Sequence, residues 1–153
     1  MKRRHFIAMS AGFAASGFPL KSISQVSIGA GTLTTISDGA LSLPLSLPQG
    51  VPEDELAALV GRFGLENGTA SKRPLNVTLW DSGDRVVLFD AGSGPAFVDS
   101  AGALYENLEA AGYALNQITD VVFTHAHPDH IWGIIDDFDE MAVPDAQLWI
   151  GRT

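Results

Sequence analysis

Three of the four histidines of this 153-residue chain lie within six residues of one another, together with an aspartate. They occur in the sequence Thr-His-Ala-His-Pro-Asp-His, at residues 124–130. The chain has no cysteine, so a divalent metal here must be bound by imidazole nitrogen and carboxylate oxygen. The alternative is a polar loop with coincidental histidines, but so dense a group of ligand types favours a metal site. We therefore predict the metal ligands His125, His127, Asp129 and His130.

The spacing divides these ligands into two pairs. Side chains two residues apart on an extended segment point to the same side, so His125 and His127 can bind one ion. Pro128 cannot extend a strand ladder and turns the chain, so Asp129 and His130 approach the same cavity from another direction. Four ligands from so short a segment suit two neighbouring ions better than one tetrahedral ion. We expect two divalent ions, with zinc as the first candidate and manganese, iron or cobalt as alternatives.

The segments around the motif alternate between strand and helix patterns, which predicts an α/β domain with its strands covered by helices. Strands are predicted at residues 31–37, 76–80, 85–89, 121–123 and from 147. A hairpin turn is predicted at 81–84, and loops at 41–52 and 64–74. One helix should begin after Pro52, and a second should extend over the apolar positions 97–111 to Gly112. The strand at 121–123 leads into the histidines, and open α/β sheets bind ligands at such strand ends.

Charge and composition exclude several functions. The formal net charge of −9 argues against a nucleic-acid partner, because phosphate binding needs a basic surface. The absence of cysteine excludes disulfides and a cysteine nucleophile, and no Gly-x-Ser-x-Gly turn is present for a serine nucleophile. The length fits one domain. A small-molecule substrate is the expected partner, and a homo-oligomer is compatible with the sequence.

The first residues are typical of an export signal. Basic residues at positions 2–4 precede a short, weakly apolar run at 6–18, and no acidic residue occurs before Asp38. The arginine pair resembles a twin-arginine signal. We predict that residues 1–25 are a signal and linker, that the folded domain occupies 26–153, and that the protein is periplasmic or secreted. It would meet the membrane only during export. A frayed basic helix on a cytosolic protein is the alternative.

The histidine motif, with Gly133 following, resembles the metal-binding motif of the metallo-β-lactamase fold superfamily. The sequence Val-Leu-Phe-Asp-Ala-Gly at residues 87–92 resembles the strand of that superfamily that ends in Asp-x-Gly. Residues 36–39 and 108–113 are similar to the branch that contains methyl-parathion hydrolase and lactonase-like exported hydrolases. The resemblance implies an αββα sandwich of which this chain is the N-terminal half, incomplete at its C-terminus. It also implies that a further His, a bridging Asp and a last His would follow the motif, and none of them is present in this sequence.

The resemblance implies a metal-dependent hydrolase that uses a metal-bound hydroxide on an ester, lactone or phosphotriester-type substrate. Asp129 would be catalytic, because it could orient the hydroxide and exchange a proton with it. Asp90 and Gly92 are expected to support the site rather than bind metal. For Trp132 we expect a place in the core, with a wall of the substrate pocket as the alternative. Residues 136–140 are expected to form a solvated acidic loop, with a surface cation site as the alternative.

Two other functions stay open. The chain could be an inactive or binding-only half domain that needs a partner, because an incomplete domain exposes a sheet edge and apolar surface. It could also be a mononuclear iron oxidoreductase of the same fold. Metal analysis separates the iron enzyme from the hydrolase, and hydrolysis by the purified chain would exclude the inactive half domain.

Overall fold

The computed structural model describes residues 24–44, 50–66 and 69–152. The predicted export signal therefore lies outside the described residues, except for its last two residues, which belong to the first strand.

The described residues form one six-stranded sheet with helices between its strands. The sheet order follows the chain, β1-β2-β3-β4-β5-β6, with antiparallel pairs from β1 to β4 and parallel pairs from β4 to β6. The strands are β1 (Ser24–Ile28), β2 (Gly31–Pro44), β3 (Ala70–Asp81), β4 (Val86–Phe89), β5 (Asp120–Phe123) and β6 (Gln147–Ile150). The helices are α1 (Glu53–Gly61), α2 (Leu104–Ala110) and α3 (Pro128–Ile131), with 3₁₀ turns at Leu115–Gln117 and Trp132–Ile134. The α/β class predicted from the sequence is confirmed.

The β2–β3 hairpin is longer than predicted, and the expected loops at 41–52 and 64–74 are wrong where they meet it. The antiparallel pairing of β2 with β3 continues as far as Pro44 opposite Ala70. The register of this pairing shifts between Ser37 and Gly39. Pro74 is tolerated in β3 because β4 pairs only with residues 78–81, so the edge beside Pro74 needs no ladder hydrogen bond from it. The strand predicted at residues 31–37 therefore does not end there but continues through Asp38 and Gly39 to Pro44.

The second helix is shorter than predicted. It begins at Leu104, so Phe97 lies in the preceding loop and outside the helix. Gly102, with a φ of 85°, interrupts any helix that would start earlier. The helix buries Leu104 and Leu108 fully against the sheet, where they join the core. That core consists of Ile36, Val77, Leu79, Leu88, Ala91, Leu104, Leu108, Ile118, Val121 and Val143.

Two other predicted features are confirmed, one of them in part. The turn at residues 81–84 joins β3 to β4, and the backbone N–H of Gly83 donates to Oδ1 of Asp81 at 2.8 Å. Helix α1 begins directly after Pro52 and buries Leu56 and Val60, whereas Leu59 and Phe63 of the expected apolar stripe are exposed. Among residues 24–44, 50–66 and 69–152, no helix is long and apolar enough to cross a membrane.

A buried carboxylate joins the three parallel strands at the end opposite the histidines. Asp120 accepts hydrogen bonds from Nε of Arg85 at 3.0 Å, from Oγ1 of Thr119 at 2.6 Å and from Nε1 of Trp149 at 2.8 Å. Burial acts to raise the pKa of this carboxyl, but the three hydrogen bonds and the charge of Arg85 outweigh it, so the pKa lies below its usual range. The ionised carboxylate therefore stabilises the fold.

Candidate metal centre

The histidine motif begins where β5 ends. The strand stops at Phe123, and His127 is in an extended conformation with φ −77° and ψ 151°. Helix α3 starts at Pro128, the first helical position, where a missing N–H costs nothing. The predicted turn at this proline is thus present. It places Asp129 and His130 on the helical turn that follows His125 and His127 in the chain.

The structure brings the three histidine rings together. Nε2 of His125 lies 3.0 Å from Nδ1 of His127, and the centroids of these two rings are 4.5 Å apart. The ring of His130 lies against that of His125, with a centroid distance of 3.9 Å. Two nitrogens on one tetrahedral zinc ion, each at about 2.0 Å from it, would be about 3.3 Å apart. The facing nitrogens of His125 and His127 are therefore close to the separation that a shared ion requires.

The second predicted pair is also adjacent. Nε2 of His130 lies 3.5 Å from Oδ2 of Asp129, and both side chains are partly buried. Within the described residues, no group of three or more His, Asp or Glu side chains is arranged to hold a metal ion. The nitrogen and oxygen donors of the two pairs fit divalent ions chemically. The assignment of these four residues as metal ligands stays a prediction.

Asp90 contacts the histidine motif through its side-chain carboxylate. It follows β4 with a φ of 70°, a conformation that Asp tolerates better than most residues other than glycine. Its buried carboxylate accepts a hydrogen bond from the backbone N–H of Thr124 at 2.7 Å. Its Oδ2 lies 2.8 Å from Nδ1 of His130. These contacts agree with the expectation that Asp90 supports the site.

Backbone contacts hold α3 against the loop after β4. The N–H of Ala91 donates to the carbonyl oxygen of His130 at 2.8 Å, and the N–H of Gly133 donates to that of Gly92 at 3.1 Å. A Cβ atom on Gly133 would overlap the carbonyl oxygen of Ala91. Only glycine allows this close approach, which explains why Gly133 follows the motif.

A further supporting residue, Asp38, was missed as part of the site. Asp38 is 1% exposed, and its Oδ2 accepts hydrogen bonds from the N–H and hydroxyl of Ser93 at 2.8 and 2.6 Å. Its Oδ1 accepts a hydrogen bond from the N–H of Leu104 at 3.0 Å, at the start of α2. Asp38 thereby holds the loop that carries Asp90. Asp38 directly follows the predicted strand at residues 31–37, and nothing in that local pattern indicates this role.

Trp132 lies beside a cavity, so the expectation of a core tryptophan is wrong. The residue is 49% exposed, and its ring meets that of Phe97 edge to face at 6.0 Å. The cavity has a volume of about 550 Å³ and an apolar wall that includes Ile131 and Ile135. None of the predicted metal ligands lines it.

The acidic loop at residues 136–140 borders the same cavity. Oδ1 of Asp136 accepts hydrogen bonds from the backbone N–H groups of Phe138 and Glu140, at 2.8 and 3.0 Å. Asp137 and Asp139 are exposed, in agreement with a solvated loop.

Comparison with known proteins relates the motif region to a known superfamily. Residues 71–136, which include the whole histidine motif, match the family model of the metallo-beta-lactamase superfamily. This part of the chain therefore resembles the metallo-β-lactamase superfamily. Over 62 residues, 40% of the chain, it is 45% identical to the probable metallo-hydrolase YqjP of Bacillus subtilis (strain 168), covering 18% of that protein.

Two solved structures resemble the fold of this chain. The hydrolase AbOPH of the beta-lactamase superfamily is 25% identical, with a TM-score of 0.74 over 82% of this chain and 43% of that one. The dizinc quorum-quenching lactonase AidC is also 25% identical, with a TM-score of 0.76 over 84% of this chain and 44% of that one. The chain thus spans less than half the length of each of these three proteins. The superfamily and the fold expected from the histidine motif are confirmed.

Proposed function

We propose that the protein is a metal-dependent hydrolase that uses two divalent ions, zinc first among the candidates, to cleave an ester, lactone or phosphotriester-type bond. The observation that carries the proposal is the pairing of His125 with His127, and of Asp129 with His130, at the end of β5. The match of residues 71–136 to the family model of the metallo-beta-lactamase superfamily supports it. The names of the similar proteins, a hydrolase and a dizinc lactonase, support the reaction class and the metal.

Each residue has a distinct role in this proposal. His125 and His127 would hold one ion through the two nitrogens that face each other, and Nε2 of His130 with Asp129 would hold the other. When bound, such ions lower the pKa of water to near neutrality and stabilise negative charge on the attacked group. Asp129 would also orient the attacking water and accept its proton. Asp90 would keep the ring of His130 in place through Nδ1, the ring nitrogen that does not face Asp129.

Reconstitution of the full-length protein tests this function. Metal-free protein is loaded separately with zinc, manganese, iron or cobalt, and the bound metal is counted by elemental analysis. Hydrolysis is then measured on an acyl-homoserine lactone, an aryl ester, a phosphotriester and a β-lactam. We expect about two ions per chain and turnover of at least one substrate. One iron per chain, little zinc and no hydrolysis would favour the iron oxidoreductase.

A pair of aspartate variants identifies the catalytic carboxylate. Asp129→Asn should lower turnover by about 100-fold or more, because the amide cannot accept the proton of water. Asp137→Asn is the matched control, since this exposed carboxylate lies in the acidic loop and should leave turnover unchanged. Equal activity of the two variants would exclude the role of Asp129.

A half domain that needs a partner is the second candidate. Leu148, Trp149 and Ile150 in β6 are between 46% and 65% exposed, and β6 is the last strand of the described sheet. Large exposed apolar side chains at a sheet edge are typical of a surface that another segment covers. This candidate predicts that the 153-residue chain shows no turnover by itself with any of the four metals. Metal-dependent hydrolysis by that chain would exclude it.

We also propose export to the periplasm or the exterior. The basic residues at positions 2–4 and the weakly apolar run after them support this location. Fusion of residues 1–25 to a folded reporter should direct it across the membrane only when the twin-arginine machinery is intact and the arginine pair is unchanged. Cytosolic retention of the unchanged fusion would contradict the proposal.

A further inference from the structure

The hydroxyl group of Thr124 lies between Asp90 and a predicted metal ligand. Its Oγ1 is 2.8 Å from Oδ2 of Asp90 and 3.0 Å from Oδ1 of the same carboxylate. On its other side, the same oxygen is 2.9 Å from Nδ1 of His125. The hydroxyl thus bridges a carboxylate on the loop after β4 and an imidazole on the loop after β5.

The chemistry of these three groups determines where the hydrogens lie. A carboxylate accepts hydrogen bonds and cannot donate them, so the one hydrogen of the Thr124 hydroxyl must point to Asp90. The hydroxyl oxygen is then an acceptor towards His125, and Nδ1 of His125 must carry a hydrogen. In a neutral imidazole this leaves the lone pair on Nε2, which is the nitrogen that faces His127.

The same carboxylate acts directly on a second histidine. Nδ1 of His130 is 2.8 Å from Oδ2 of Asp90, and a neutral imidazole that donates from Nδ1 has its lone pair on Nε2. Nε2 is the nitrogen of His130 that lies beside Asp129. Asp90 therefore contacts both pairs of the candidate metal centre, one directly and one through Thr124.

We propose that Asp90 and Thr124 form a positioning unit that sets the tautomer of His130 and His125, so that both rings present Nε2 to metal. The proposal rests on the metal site of the proposed function. Groups that hold a metal-binding histidine by its other nitrogen typically change metal affinity by about 10- to 100-fold when removed. Thr124 belongs to this unit because its hydroxyl contacts both Asp90 and His125.

Two substitutions at residue 124 isolate the hydroxyl. Thr124→Val keeps the branched shape and the backbone N–H that donates to Asp90, and it removes the contacts of the hydroxyl with both Asp90 and His125. Thr124→Ser keeps the bridge. Thr119→Val is the matched control at the other end of β5, because that threonine also makes a short hydrogen bond to a carboxylate, at 2.6 Å, but is remote from the histidines.

Nuclear magnetic resonance of the metal-free full-length protein gives the first readout. Proton–nitrogen spectra of the imidazole rings distinguish the two neutral tautomers, because the nitrogen that carries the hydrogen differs between them. We expect hydrogen on Nδ1 of both His125 and His130. We expect Thr124→Val to give a mixture of tautomers for His125 and to leave His130 unchanged. Hydrogen on Nε2 of His125 in the unchanged protein would overturn the proposal, even if the valine variant does not fold.

Zinc affinity, measured by competition with a coloured chelator, gives the second readout. Thr124→Val should bind zinc about 10- to 100-fold more weakly, whereas Thr124→Ser and Thr119→Val should stay within about threefold of the unchanged protein. Equal losses in Thr124→Val and Thr119→Val would show a general loss of structure and would overturn the proposal. Because neither readout uses hydrolysis, the positioning unit and the proposed reaction can fail separately.

Discussion

Replacement of Asp90 by asparagine is the sharpest test of how the candidate metal centre is held. Asparagine has the same shape and tolerates the φ of 70° equally well, so the backbone cost is unchanged. Only the oxygen that accepts the Thr124 N–H at 2.7 Å can be kept. The amide nitrogen then replaces Oδ2 and faces Nδ1 of His130, 2.8 Å away, where it cannot accept a hydrogen bond.

The size of the effect follows from these contacts. Hydrogen bonds to a charged group contribute about 1.5–3 kcal/mol each, and Asp90→Asn loses the one from His130 and weakens the one from Thr124. We therefore expect the free energy of unfolding of the metal-free protein to fall by about 2–4 kcal/mol. Zinc affinity should fall by about 10- to 100-fold, because His130 loses the partner that orients its ring.

Two measurements check this prediction. Urea unfolding followed by tryptophan fluorescence gives the change in stability, and chelator competition gives the change in zinc affinity. Asp137→Asn, an exposed carboxylate, serves as the control for the loss of one charge. If Asp90→Asn changed stability by less than about 0.5 kcal/mol and left zinc affinity unchanged, the support assigned to Asp90 would be refuted.

Three other predictions concern residues that hold the fold together, two beside the site and one at the opposite end of the parallel strands. Gly133→Ala should displace α3 and reduce both stability and zinc affinity, because its Cβ would overlap the carbonyl oxygen of Ala91; a crystal structure of the variant with unmoved α3 would contradict this. Asp38→Ala should lower the free energy of unfolding by about 3 kcal/mol or more in urea, since it leaves three hydrogen-bond donors without their acceptor. Because the pKa of Asp120 is lowered in the folded protein, its ionised form stabilises the fold above about pH 4, and this stabilisation is lost as pH falls through the lowered pKa. Urea titrations at several pH values should show that Asp120→Asn removes this part of the acid sensitivity, and an unchanged acid profile would contradict the assignment.

Features that depend on neighbouring residues could be predicted from the sequence. The hairpin at residues 81–84, the start of α1 after Pro52 and the turn at Pro128 are all local, and all are present. The ends of the long hairpin could not be predicted in this way. Pro44 and Pro74 indicate a loop locally, but pairing with the opposite strand outweighs that tendency.

The position of Trp132 illustrates a second limit of sequence patterns. A tryptophan next to an apolar run is more often buried than exposed. Here the close contact of Gly133 with the loop after β4 fixes the orientation of the chain, and the tryptophan lies on the cavity side, half exposed. The apolar pattern alone contains no information about that contact.

The sequence by itself determined the types and order of the candidate ligands, because three histidines and an aspartate within 124–130 need no folding to be recognised. Only the tertiary structure decided which other residues hold these candidate ligands in place by hydrogen bonds. Asp90 meets Thr124 and His130 across 34 and 40 residues of chain, and Asp38 meets Ser93 across 55. The hydrogen bonds of Asp90 form because the parallel pairing of β4 with β5 brings the carboxyl ends of these two strands together, and no local preference of the chain encodes that pairing.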